Sequence, residues 1–208
     1  MPGLKPREIE TRSMAIIEGL LPTGSWSPGE RAVVKRLVHT SGDPSLGMAV
    51  RFSAGAVDVG AGALLAGAPV FTDTNMVRIG INETRVKAYG GAVECLIADE
   101  TVAAEAERTG RTRAASAMRS LGPRLDGAVL ALGNAPTALR EVLSLAAAGV
   151  ARPALVIGMP VGFVDAAESK GALMTSGLVF IAIEGTRGGS PLAAATVNAL
   201  LRVAAEEL

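Results

Sequence analysis

Aromatic residues are scarce in this chain. Phe, Trp and Tyr together make up 3% of 208 residues, with a single Trp and a single Tyr. So few rings leave almost no stacking surface for nucleic-acid bases. An excess of either charge is also missing: Lys plus Arg number 20, Asp plus Glu number 20, and the formal net charge is zero. No electrostatic footprint for DNA or RNA is therefore present. Cys95 is the only cysteine, which excludes a disulfide within the chain. It lies in VECLIA (93–98), read as a strand, and is expected to be a small buried hydrophobe. His39 is the only histidine, and one His with one Cys cannot build a zinc site. The longest apolar region, near 142–158, is interrupted by Arg152 and Pro153, so no membrane span fits. The opening MPGLKPREIETRS has no apolar segment of the signal-peptide kind. The expectation is a soluble cytoplasmic protein with neither nucleic acid nor membrane as partner.

What the chain does have is small apolar residues. Apolar types reach 49% and charged types 19%, the balance of a globular protein. Ala, Gly, Val and Leu dominate and allow helices to lie close to a sheet. The length suits one domain over residues 1–208.

Two stretches of the second half stand out, AVLALGNAPTAL (128–139) and ALVIGMPVGFVDAAESKGAL (154–173). Each opens on a wholly apolar run, as a strand buried on both faces requires. Each then breaks into Gly, Pro or Asn and returns to helical composition. PVFTD (69–73) and LVFIAIE (178–184) read as further strands. Helices are expected over 8–20, 53–68, 100–108, 112–121 and 190–206, with a helix-like NMVRIGI after PVFTD. Ser27, Pro28 and Glu30 form a capping box and helix start, and that helix runs to His39 before Gly42 and Pro44 stop it. Strands alternating with helices predict an α/β fold, a three-layer α/β/α sandwich with a mostly parallel sheet. Ligands of such sheets bind where strands end and loops begin.

The nucleotide signals fail. GAGALLAG (60–67) has Leu65 where a dinucleotide fingerprint needs its third Gly, and no clear buried strand precedes it. GDPSLGMA (42–49) has Met48 in place of a P-loop lysine. Both read as turn or packing glycines, so neither NAD nor ATP is expected. GTRGGSPLAAA (185–195) is the best anion site: Gly188 and Gly189 permit close approach, Ser190 can cap, and Pro191 fits the first helical position. The alternative is an ordinary capped helix. Asn134, Pro136 and Thr137 make a second strand-to-helix entrance. His39, at a helix C-terminus, can be a cap that favours the dipole or a general acid or base. Arg113 and Ser13 are unremarkable taken singly.

GNAPTAL (133–139), GMPVGFVDAAESK (158–170), GGS (188–190) and VNALL (197–201) resemble the precorrin-8X methylmutase family. RSMAII (12–17), RLVHTSGD (36–43), TDTNMV (72–77) and TR (112–113) do so as well, in the same order. The resemblance implies an isomerase of cobalamin biosynthesis. It would move a methyl group from C-11 to C-12 of precorrin-8X, giving hydrogenobyrinic acid in a formal 1,5-sigmatropic shift. No metal, flavin, methyl donor or other cofactor is consumed. It also implies a three-layer fold and a homodimer with the active site near the subunit interface. The family's catalytic histidine falls on His39, and its associated Ser and Arg fall on Ser13 and Arg113. In that picture His39 lends a proton to the macrocycle, and Ser13 and Arg113 orient it or the ring. The ring's carboxylates meet the Asn134–Thr137 loop and the Arg187–Ser190 turn. A cobalt-bearing substrate is the alternative within the family, and a non-catalytic tetrapyrrole (corrinoid) binder is the rival from another class.

Overall fold

In a computed structural model, residues 5–206 are described. The N-terminal pair is α1 (Pro6–Leu20) and α2 (Pro28–Ser41). Helix α2 starts as expected: Ser27 Oγ accepts from the Glu30 N–H, and the Glu30 carboxylate accepts from the Ser27 N–H. It ends at Gly42, which adopts the left-handed conformation with φ 68° that glycine adopts without steric cost. Strand β1 (Val50–Phe52) follows, then α3 (Ala56–Leu65), β2 (Val70–Thr72), α4 (Asn75–Gly80), α5 (Glu83–Ala88) and β3 (Val93–Glu94). Helices α6 (Glu100–Thr109) and α7 (Arg113–Leu121) lead to β4 (Val129–Leu132), α8 (Pro136–Ala147) and β5 (Leu155–Gly158). Helix α9 (Ala166–Met174), β6 (Phe180–Ile183) and α10 (Ser190–Ala204) complete the order.

The six strands form one sheet in the order β1-β6-β5-β4-β2-β3. Every neighbouring pair is parallel except β1 with β6. Strands β4, β5 and β6 are buried at every position, which explains their unbroken apolar runs. Their side chains alternate between two cores. Val129, Ala131, Leu155, Ile157, Ile181 and Ile183 join the core under α1, α2, α3 and α10. Leu130, Leu132, Val156, Phe180 and Ala182 join the core under α7, α8 and α9. This is the three-layer α/β/α arrangement that the alternating pattern predicts.

The small residues do what composition suggested. A Cβ at Gly60 would fall 2.6 Å from Leu155 Cδ2 and 3.1 Å from Leu200 Cδ1. That glycine lets α3 lie against both β5 and α10, so GAGALLAG is a packing motif. None of the described helices is long and apolar enough to cross a membrane.

Several expectations need correction. Three-residue β1 does precede α3, so the 53–68 helix is shorter and begins after a strand. VECLIA pairs with β2 only at Val93 and Glu94. The chain then leaves the sheet, and Cys95 is half-buried rather than enclosed. Helix α5, within an unassigned stretch, is capped by the Asn82 side chain.

Candidate active site

The chain leaves β2 for β3 on one side and returns to β4 on the other. The carboxyl ends of β2 and β4 therefore flank the topological switch point, where open α/β sheets hold ligands. Asp73, directly after β2, is fully buried. Its carboxylate accepts from the N–H of Gly133 at 3.1 Å, of Asn134 at 2.7 Å and of Ala135 at 2.7 Å. Burial pushes this carboxyl above the usual range, while the three amide donors pull the other way. These three amides are thus already bonded to an acidic group of the protein itself. Asn134 keeps an exposed side chain and Thr137 Oγ1 lies 2.7 Å from Thr112 Oγ1. Pro136 opens α8.

The turn before α10 is built differently. Gly189, at φ 127°, stands in the capping position and no side chain caps the helix, so the expectation that Ser190 caps is corrected. Ser190 is instead the first helical residue, and its Oγ lies 3.3 Å from Thr74 Oγ1. A Cβ at Gly188 would sit 2.2 Å from the Met159 carbonyl oxygen, and one at Gly133 would sit 2.7 Å from Ser190 Cα. Both glycines are required by close backbone approach. Arg187 turns away from this backbone and donates to Asp43 Oδ2 at 2.9 Å and Ser45 Oγ at 3.1 Å. The Ser45 hydroxyl and amide, with the Arg187 guanidinium, hold the Asp43 carboxyl below its ordinary value. Behind the turn, buried Lys170 donates through Nζ to the Arg187 carbonyl at 2.6 Å.

His39 lies in the last turn of α2, one short turn before Asp43. Ser13 of α1 places its Oγ 3.0 Å from His39 Nδ1. Two residues 26 apart in sequence are thus joined at the seam of α1 and α2, and Nε2 is the ring nitrogen left for another partner. Beside this seam, a groove of about 520 Å³ runs between α2 and α10. Arg36, Thr40, Arg85, Pro191, Asn198 and Arg202 are in its wall. Three guanidiniums and a helix start therefore border a groove that connects Thr40, next to His39, with Pro191, next to Ser190. A cavity of about 670 Å³ lined by Asp126, Arg152 and Gly177 lies at the opposite, amino ends of the strands, away from every loop just described. Arg113 opens α7 in the other helical layer, at the same edge of the sheet as Thr112 and Thr137 and exposed. So the structure joins Ser13 to His39 but places Arg113 apart from them.

Sequence reasoning missed Asp73, Thr74 and Lys170 as parts of this edge. The available signal was an acidic residue closing an apolar strand, TD at 72–73, opposite a Gly-Asn turn. Among the described residues no cluster of His, Cys, Asp and Glu could hold a metal.

Fold and edge together define an α/β protein whose functional end carries fixed amide donors, arginines and one serine-bound histidine. The family model for precorrin-8X methylmutase matches residues 8–203. A cobalt-precorrin-8 methylmutase of Priestia megaterium is 39% identical over 197 residues, spanning 95% of this chain and 88% of that protein. A precorrin-8X methylmutase of Sinorhizobium is 40% identical, spanning 93% of each. The crystal structure of precorrin-8X methylmutase from Thermus thermophilus superposes with a TM-score of 0.89 at 40% identity, covering 97% of both chains. The chain belongs to the precorrin-8X methylmutase family.

Proposed function

We propose that this protein is an isomerase of cobalamin biosynthesis that moves a methyl group from C-11 to C-12 of precorrin-8X, giving hydrogenobyrinic acid. The observation that carries the catalytic part is the 3.0 Å contact of Ser13 Oγ with His39 Nδ1. A hydrogen bond to one ring nitrogen fixes the plane of the imidazole and aims the other. With Nδ1–H donated to Ser13, the imidazolium presents Nε2–H to the macrocycle. Protonation or hydrogen bonding there makes the conjugated ring electron-poor where the methyl arrives. The methyl stays within one molecule, so holding the ring still is most of the remaining task. Helix α10 and the arginines of the adjoining groove suit a ligand fringed with carboxylates. Arg113, in the opposite layer at the same edge, holds a carboxylate on the far side of the ring.

The same reading makes the protein a homodimer. Ile9, Ile16 and Leu20 are more than half exposed on α1, and their spacing of seven and four puts them on one helical face. Phe163 is 94% exposed and Val164 85%. Such apolar patches are covered in a stable assembly. Light scattering should give about twice the chain mass of 21.1 kDa, and a fully active monomer would contradict the dimer.

The catalytic role is tested by His39→Ala. This variant should bind the tetrapyrrole but convert precorrin-8X about 10²–10⁴-fold more slowly, as followed by the absorbance change of product formation. Conversion at the native rate would reject it. A parallel assay with cobalt-precorrin-8 identifies which form of the ring is the better substrate.

A further inference from the structure

Lys170 is one of four lysines in the chain, and its side chain is fully buried. It sits just past the first turn of α9 and reaches the turn that feeds α10. Both helix starts carry partial positive charge, which repels an ammonium. Its one hydrogen bond among the described residues is to a neutral carbonyl, that of Arg187. The acidic groups on the neighbouring elements are engaged elsewhere. Asp165 pairs with Arg140, Glu141 with Arg119, Glu184 with Arg51 and Asp43 with Arg187. Glu168 is exposed and acts on Arg140. Burial alone pulls the Lys170 ammonium down to about 8. A buried cation with no counter-ion costs free energy that an incoming anion can recover.

We propose that Lys170 is a positioning residue for one carboxylate of the substrate. Its hydrogen bond holds the Arg187–Ser190 turn in shape, and its charge, set behind that turn, makes the start of α10 select an ionised side arm over an amidated one. The contrast with Asp73 supports the assignment. At the β4–α8 entrance a buried anion neutralises the amide donors, whereas at the β6–α10 entrance a buried cation adds to them. The inference rests on the methylmutase reading for the identity of the anion, not for the existence of the charged turn.

The test compares native protein, Lys170→Met and Lys170→Arg, using precorrin-8X for turnover and hydrogenobyrinic acid and its fully amidated form for binding. Lys170→Met should raise KM roughly tenfold or more, with a smaller fall in kcat, and bind the acid and amidated rings alike. Lys170→Arg should restore part of the preference for the acid. Should Lys170→Met fail to fold, the native protein labelled with ¹³C-lysine decides. With only four lysines, the buried resonance can be followed through a pH titration, and its midpoint should rise when hydrogenobyrinic acid binds. An unchanged midpoint with the ring demonstrably bound, or a folded Lys170→Met that keeps native KM and preference, overturns the inference and leaves the methylmutase reading intact. Failure of the native protein to bind or convert any tetrapyrrole overturns that reading instead.

Discussion

The two strand-to-helix entrances at the carboxyl edge of the sheet look alike in sequence and differ in electrostatics. GNAPT, after β4, gives three consecutive N–H groups to the Asp73 carboxylate. RGGS, after β6, has no side-chain cap and rests on the Lys170 ammonium. Both follow fully buried strands and both begin helices with proline in the first turn. What separates them is one buried charge supplied by a different part of the chain. A glycine-rich helix start is therefore only half of an anion site, and the residue behind it decides whether the site is already filled.

Three substitutions would break or sharpen that difference. Asp73→Ala has the largest expected effect, because it removes a fully buried carboxylate and leaves three amide donors without their acceptor. It should destabilise the fold by about 3 kcal/mol or more, read as a lower urea midpoint with an unchanged slope. An unchanged midpoint would mean that another group satisfies those amides. Lys170→Met should alter the pH dependence of stability. The folded lysine loses its proton near 8, whereas the unfolded one keeps it to about 10.4. Between those values the unfolded chain binds more protons, so native stability gains with rising pH. The native protein should gain on the order of 2 kcal/mol over that window relative to Lys170→Met, measured by denaturation at pH 7.5 and pH 10. No difference between the two proteins would show that the buried ammonium is not strained. Thr74→Val should have the smallest effect. It removes a hydroxyl bond to Ser190 and the Val77 cap, costing about 1 kcal/mol in the same denaturation assay. A native midpoint would show that the link between the two entrances carries no stability.

The sequence showed the layers more readily than the charges. Strands β4 and β5 were legible because a central parallel strand must be apolar on both faces, and α2 because its capping box is local. Strand β1 was not, since VRF is a three-residue antiparallel edge with a polar residue in the middle. Strand β3 was overextended because VECLIA has strand composition beyond the two residues that pair. In the site, His39 stood out as the lone histidine with two roles open, its catalytic role and Ser13 came from family resemblance, and neither residue shows by itself that it meets the other. Asp73 was hidden because its partners lie some sixty positions away in the chain. Lys170 was hidden because lysine belongs at the surface unless a fold gives reason to bury it.

The most direct measurement is incubation of the purified protein with precorrin-8X, with the product identified by spectroscopy and mass. The account predicts an isomer of identical mass with the spectrum of hydrogenobyrinic acid, formed without added metal, flavin or methyl donor and about 10²–10⁴-fold more slowly by His39→Ala. Recovery of unchanged precorrin-8X from the native protein, or equal turnover by the His39 variant, would contradict it.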